Sequence, residues 1–430
     1  MTVRNVLVVG VGARQHALCC KLAAEPGAER VICAPGNPLM SDVAELRPDV
    51  DADDLDAVVA LALAERVDLV VVGPEDPLVA GLADRLAAAG VPCFGPTAAA
   101  ARLEGSKAFA REVCDAAGVA MAEGRAFEDA APAIAFAEAL GGRVVVKVDG
   151  LALGKGVVMC ADRAAAEAAI REVLIEGRFG AAGRRVVVEE WLEGSEASVF
   201  ALCDGERFAL LPAARDHKRA FEGDEGPNTG GMGAYSPVDG LDDDALSAIG
   251  ESVVGPILAE MARRGTPFRG ALFCGLMLTE HGPRVLEFNV RLGDPETQAV
   301  LPRMNADLGQ LMLECANGRL TVQGVLPALP DAIVALFLAA DGYPEAGRRG
   351  DAITGIDAAR AAGALVFGAG LARGTDGQLV TAGGRVLTVV GRGANLKEAA
   401  DEAYGAAAQI DYAGKWLRRD IGRPLVGATA

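Results

Sequence analysis

The first hundred residues repeat one pattern, a short apolar run followed by an amphipathic stretch. The runs "VLVVG" (6–10), "VICAPG" (31–36), "DLVVVGPE" (68–75) and "VPCFGP" (91–96) read as strands with helical segments between them. That alternation predicts an open, mostly parallel, Rossmann-like α/β sheet. Its first turn, Gly10-Val11-Gly12-Ala13-Arg14-Gln15, carries two glycines of a dinucleotide fingerprint. Gln15 stands where the third belongs, and the second strand runs into Pro35-Gly36-Asn37 instead of an acid that could hold a ribose. A nicotinamide-dependent dehydrogenase is therefore a rival reading, to be removed by a null titration with NAD and NADP.

Beyond "FGPTAAAARLEGSKAFAREVCDAAG" (94–118), read as a linker and helix, the pattern changes. "GRVVVKVDG", "GVVMCA", "RRVVVEEWLEG", "EASVFALCDG" and "RFALLPAA" are strands in quick succession, with a helical "RAAAEAAIREVLIEG" among them, so an α+β lobe rich in antiparallel pairing is expected. "FEGDEGPNTGGMGAYSP" (221–237) reads as a long glycine-rich loop. From "DAIVALFLAADGYPE" onward, short strands and the helix "NLKEAADEAYGAAAQI" form a last small α+β unit. With 430 residues there is room for about three domains, taken as 1–101, 102–326 and 327–430.

The net charge of −18, from 59 acidic and 41 basic side chains, argues against nucleic-acid and anionic-membrane partners. An anionic ligand must then be met by a local cluster of cations. Nine cysteines without a C-x-x-C pair point to buried free thiols in a reducing cytoplasm. The apolar runs fall well short of the roughly 18 to 20 residues a membrane span needs. No small-residue cleavage site precedes Arg14 and His16, so a signal peptide is not expected.

Two stretches carry the chemistry. "KVDGLALGKGV" (147–157) has the glycines and lysines of a phosphate loop but not the spacing of a Walker loop, and Gly156 stands where a hydroxyl should be. Lys147 just before the turn would add a charge to the backbone N–H donors of the loop, although a lysine in a strand is also commonly solvent-facing. In "RVLEFNVRLGDPETQ" (284–298) strand alternation puts Glu287, Asn289 and Arg291 on one face and Leu286, Phe288, Val290 and Leu292 on the other. The polar face offers oxygen ligands suited to magnesium, or it is simply solvated. Asp294-Pro295 reads as a helix N-cap followed by proline at the first helical position. "VVVEEWLEGSE" (186–196) supplies acids around an apolar hinge that could present backbone groups to adenine.

Together these stretches resemble the ATP-grasp superfamily and, within it, the phosphoribosylamine–glycine ligases. The likeness runs through "APGN", "GPEDPL", "FGPT", "LEGSKAF", "KVDGLALGKGV", "DHKR", "GPNTGGMGAYSP" and "EFNVRLGDPETQ", in the family's order. It implies a central ATP-grasp domain with a mobile lid over about residues 121–190. Gly154, Lys155 and Gly156 would belong to a flap over the nucleotide phosphates. Lys107 and Lys147 would pair with phosphates, Glu189, Glu190 and Leu192 would face adenine, and Glu196 the ribose. Glu287 and Asn289 would bind magnesium or manganese. Gly12, Arg14, Gly36, Asn37 and Glu75 would form the phosphoribosylamine pocket, with Asp216 and Arg291 near glycine; Arg291, Lys155 and Asp216 would be the catalytic set. The implied substrates are ATP, glycine and 5-phosphoribosylamine, joined through glycyl phosphate by a monomer. Gln15 departs from the family's usual glutamate, and Met277 lies where many relatives carry a second metal ligand. Rival readings are another ATP-grasp carboxylate–amine ligase, a biotin-carboxylase-like enzyme, and a nucleotide sensor without turnover.

Overall fold

The computed structural model describes residues 3–152 and 156–423. Its N-terminal sheet contains β1 (Asn5–Gly10), β2 (Arg30–Pro35), β3 (Glu45–Leu46), β4 (Leu69–Val72) and β5 (Cys93–Phe94) in the order β3-β2-β1-β4-β5, all parallel. Alternation along β1 sends Leu7 and Val9 into one core and Val6 and Val8 into the other, as a sheet covered on both faces requires.

The stretch expected to be a linker and one helix is two helices, Ala98–Gly105 and Lys107–Ala117. Ser106 separates them because it adopts an extended conformation and its Oγ accepts from Phe109 N at 3.1 Å as an N-cap.

A four-stranded antiparallel sheet follows: β6 (Gly124–Phe127), β7 (Val144–Val148), β8 (Val157–Cys160) and β9 (Val186–Glu190), ordered β6-β9-β7-β8. Val144, Val146, Val148, Val186 and Val188 pack with helices Ala130–Ala139 and Arg163–Leu174 into a core separate from the rest of the molecule. The alternate positions, Val145, Lys147 and Glu189, face a deep cleft.

The chain then lays down β10 (Ser195–Asp204), β11 (Phe208–Leu210), β12 (Arg215–Asp216), a hairpin of β13 (Arg219–Phe221) and β14 (Glu225–Asn228), β15 (Gly233–Ser236), β16 (Arg269–Thr279), β17 (Gly282–Asn289) and β18 (Gly324–Val325). The glycine-rich segment is thus a hairpin and a strand, not a long loop. A Cβ at Gly233 would stand 2.4 Å from the Ala335 carbonyl oxygen, so the glycine permits that close strand pairing. The body sheet runs β17-β16-β10-β11-β18. In the last unit come β19 (Ala332–Ala339), β20 (Leu365–Gly368), a hairpin of β21 (Leu371–Arg373) and β22 (Leu379–Thr381), and β23 (Arg385–Gly393). Strands β12 and β15 join these in the order β12-β15-β19-β23-β20, so central and C-terminal parts share one sheet. The helical segment 243–263 has the length and apolarity of a membrane span, but half of it is buried, and Leu246, Ile257 and Met261 belong to the core.

Candidate active site

The cleft, about 950 Å³, lies between the lid sheet, the body sheet and the C-terminal unit. Lys147 is buried on β7 and ion-pairs with Glu189 Oε2 at 2.5 Å, while Arg111 Nη2 holds Glu189 Oε1 at 2.7 Å. Burial opposes the charge on Glu189, but Lys147 and Arg111 outweigh it and lower its pKa. Lys147 also donates to the Leu286 carbonyl at 2.9 Å. That carbonyl is available because β16 and β17 slip register between Gly275 and Leu276, leaving Leu286 without a ladder partner. The bulge overturns the placement of Leu286 on the apolar face, for it brings Leu286 into the cleft wall beside Glu287. Beyond it the alternation holds: Phe288, Val290 and Leu292 are buried, while Glu287, Asn289 and Arg291 line the cleft.

Lys218 is the cation at the centre of the site. It lies 3.2 Å from Glu196 and 3.5 Å from Glu287. Burial works against its charge, but Glu196, Glu287, Asp216 and Glu296 together raise its pKa. Burial likewise opposes ionisation of Glu287, yet Lys218, Lys107 and Lys147 bring its carboxyl down to about 2. Asp216 and Glu296 behave oppositely: burial pushes both upward, and at Asp216 the charge of Glu296 adds to it. Ser198 donates to Glu296 at 3.0 Å, whereas Asp216 Oδ1 is buried without a partner.

At the far end, Arg291 bridges Glu75 and Glu104, each at 3.0 Å. Burial pushes Glu104 up to about 7 in spite of Arg291. Glu75 is also penalised by burial, but Arg291 and Arg14 hold it at about 2. Arg14 donates to the Leu292 carbonyl at 2.9 Å and has a buried Nε without a partner. Asp294 accepts from Gln298 Nε2 at 2.7 Å and pairs with Arg385 at 3.2 Å. It sits one residue further from its helix than expected: Pro295 is the N-cap of Glu296–Val300, so the Asp294 carboxylate is free for these contacts.

Of the residues singled out in the sequence, Arg14, Glu75, Lys107, Lys147, Gly156, Glu189, Glu190, Leu192, Glu196, Asp216, Glu287, Asn289 and Arg291 line this cleft. Gly154 and Lys155 lie outside the described residues. Gly12, Gly36 and Asn37 are not in its wall. The Asn37 amide is engaged by Val11 O at 2.7 Å, Gly368 O at 2.9 Å and Leu39 N at 3.1 Å, which fastens the N-terminal sheet to β20. His16 is likewise buried, on helix Ala13–Ala23, and accepts from Gly368 N at 2.8 Å. Gln15 caps the same helix through Gly12 N at 3.0 Å, a task that glutamine and glutamate share, so the departure at this position leaves the local fold intact. Glu104, Arg111, Lys218, Asp294, Glu296 and Arg385 were missed. Glu104 and Lys218 stood inside quoted motifs, and Arg111 is one helical turn from Lys107, whereas Arg385 had no local signal.

Family models match most of the chain, leaving the connection 298–332 between two of them. The phosphoribosylglycinamide synthetase N domain matches residues 4–104, its ATP-grasp (A) domain residues 105–297 and its C domain residues 333–424. The chain belongs to the phosphoribosylglycinamide synthetase family. It is 49% identical over 418 residues to the phosphoribosylamine–glycine ligase of Caulobacter vibrioides, covering 97% of both chains. It is also 49% identical over 427 residues to that of Streptomyces coelicolor, covering 99% of this chain and 100% of the relative. The crystal structure of the Thermotoga maritima phosphoribosylamine–glycine ligase superposes with a TM-score of 0.84 at 32% identity, covering 97% and 99% of the two chains. The biotin carboxylase domain of Hydrogenobacter thermophilus 2-oxoglutarate carboxylase shares the fold alone, with a TM-score of 0.71 at 17% identity over 97% of this chain and 92% of that one.

Proposed function

We infer that the chain ligates glycine to 5-phosphoribosylamine, with ATP converted to ADP and phosphate. A glycine carboxylate oxygen bonds to the γ-phosphorus as the bond to ADP breaks. The phosphoribosylamine nitrogen then attacks the glycyl carbonyl, phosphate leaves, and the nitrogen gives up a proton. Family membership supports the reaction. The observation that carries the residue assignments is that one cleft has lysines at its lid end and a closed arginine–carboxylate network at its other end.

On this reading Lys107, Lys147 and Lys218 stabilise the negative charge of the transferring phosphoryl group. Glu189 holds Lys147 in place, so its carboxylate is engaged there instead of reading adenine. Asp216, a buried carboxylate with an unpartnered oxygen, fits the ammonium of glycine, which would supply the missing opposite charge. Arg14 and Arg291 offer guanidinium groups to the anionic amine substrate. Glu287 and Asn289 are hard oxygen donors, and the low pKa of Glu287 keeps it ionised, so the pair fits magnesium or manganese. Among the described residues no three His, Cys, Asp or Glu side chains gather into a metal cage, and an ion here would take its other ligands from nucleotide and water. Such an ion supplies charge neutralisation at the phosphates.

The test is ADP release measured with each substrate omitted in turn. Turnover should require ATP, glycine and phosphoribosylamine together. Release supported by bicarbonate in place of glycine would overturn the reading in favour of a biotin-carboxylase-like enzyme. For the metal, Glu287→Gln should raise the magnesium concentration needed for half-maximal turnover about tenfold; an unchanged requirement would remove Glu287 from the ion.

A further inference from the structure

Two side chains of the C-terminal unit that line the cleft, Tyr343 and Arg385, grip a single residue from both sides. Gly230 donates its N–H to the Tyr343 hydroxyl at 3.3 Å, and its carbonyl accepts from Arg385 Nη1. The same Nη1 donates to Gly231 O at 3.2 Å and Asp294 O at 3.0 Å, and Nη2 donates to Asp294 Oδ2 at 3.2 Å. The guanidinium lies 4.2 Å above the ring of Phe337, itself wholly buried, so its plane is fixed from below.

The glycines are required by this approach. A Cβ on Gly230 would stand 3.1 Å from Arg385 Cζ. Gly231 has φ +101, and a Cβ there would stand 2.4 Å from Pro295 Cδ and 2.8 Å from Asp216 Oδ1. Gly231 therefore packs directly against the carboxylate assigned to glycine. Among the described residues the hydrogen-bond acceptors of Arg385 are Gly230, Gly231 and Asp294, none of them on the lid sheet.

We propose that Arg385 is a positioning residue for the acyl-transfer step: by fixing Gly230, Gly231 and Asp294 it sets the place of Asp216, and so the geometry in which the amine meets the glycyl group. The inference rests on the assignment of Asp216 to the glycine end. A misplaced glycyl phosphate is attacked at its carbonyl carbon by water instead of the amine, giving glycine and phosphate, so ATP is consumed without amide.

The experiment compares Arg385→Ala, Arg385→Lys and Tyr343→Phe with the parent enzyme, measuring amide and ADP formed in the same reaction together with KM for each substrate. Arg385→Ala should lower the amide kcat about 100-fold while leaving KM for ATP within about twofold, and the ratio of ADP to amide should rise above one. Arg385→Lys keeps the charge but cannot span four acceptors, and should fall between the two. Tyr343→Phe removes one hydrogen bond and should lower the amide kcat about fivefold, in the same direction. An unchanged kcat and ratio overturn the proposal. So does a KM for ATP that rises in step with the others, since that is what a general loss of structure produces. If the alanine variant does not fold, the lysine and phenylalanine variants decide by the same criteria. Asp216→Asn separates the two readings: a normal KM for glycine in that variant removes the assignment of Asp216, whereas a raised KM alongside a normal Arg385→Ala removes only the role of Arg385.

Discussion

At the lid end of the cleft, Lys147 and Glu189 stand on a four-stranded sheet that has its own small core. At the opposite end, Arg14, Glu75, Glu104 and Arg291 stand where the parallel sheet meets the body, and Asn37, His16 and Arg385 tie that junction to the C-terminal unit. The apolar contacts of this sheet are mostly internal, so it can swing without opening the body core, about the edge where Glu189 and Lys147 are held by Arg111 and the Leu286 carbonyl. A junction built from buried charges cannot, because any displacement leaves a desolvated carboxylate or guanidinium unpaired. The two ends thus suit different ligands: a nucleotide that must be enclosed and released, and two small substrates that must be held in register.

The largest expected effect is at the junction. Arg291→Met leaves Glu75 and Glu104 buried without their shared cation, and should cost about 3–5 kcal/mol of stability, read as a lowered denaturant midpoint. A variant as stable as the parent would show that the network is not what fixes this end.

His16 gives a second test there. Burial and the charge of Arg360 lower its pKa to about 4. Between about pH 6.5 and 4 the unfolded chain takes up a proton on this residue that the folded chain does not, so His16 contributes a loss of about 3 kcal/mol as pH drops through that window, opposed by the raised carboxyl of Glu104. His16→Gln should remove this part of the slope and leave the acid loss caused by Glu75 and Glu287, whose folded values near 2 place it below about pH 4.5. An unchanged slope in the variant would mean that His16 is not held neutral at the junction.

The lid end should respond in activity more than in stability. Lys147→Met removes one cation from the phosphates while Glu189 keeps Arg111, so kcat/KM for ATP should fall about 100-fold. A comparable loss of folding stability would erase the distinction between the two ends.

The same contrast explains what the sequence could tell. The parallel sheet was legible in β1, β2, β4 and β5, which are largely buried and therefore apolar, whereas the short β3, with Glu45 exposed, gave no such run. The face carrying Glu287, Asn289 and Arg291 was legible because a strand alternates with a fixed period. Leu286 was misplaced because its bulge depends on how β17 pairs with β16, which its own residues do not announce. Arg111 and Arg385 were not singled out, since only the folded chain brings Glu189 and the Gly230 carbonyl to them. Asn37 looked like a ligand-binding side chain because a buried amide and a binding amide look alike until their partners are known.

The most direct measurement is a pair of distances in solution, from labels placed at the exposed positions Arg163 on the lid, Asp53 in the turn before helix Leu55–Ala64 of the N-terminal unit and Asp376 on the C-terminal unit. The labelling chemistry must be orthogonal to thiols, because the chain has nine cysteines. With ATP and magnesium added, the Arg163–Asp53 distance should shorten and narrow in distribution while the Asp53–Asp376 distance stays as it was. A lid distance indifferent to ATP, or a junction distance that moves with it, would contradict the division of the cleft into a moving nucleotide end and a fixed substrate end.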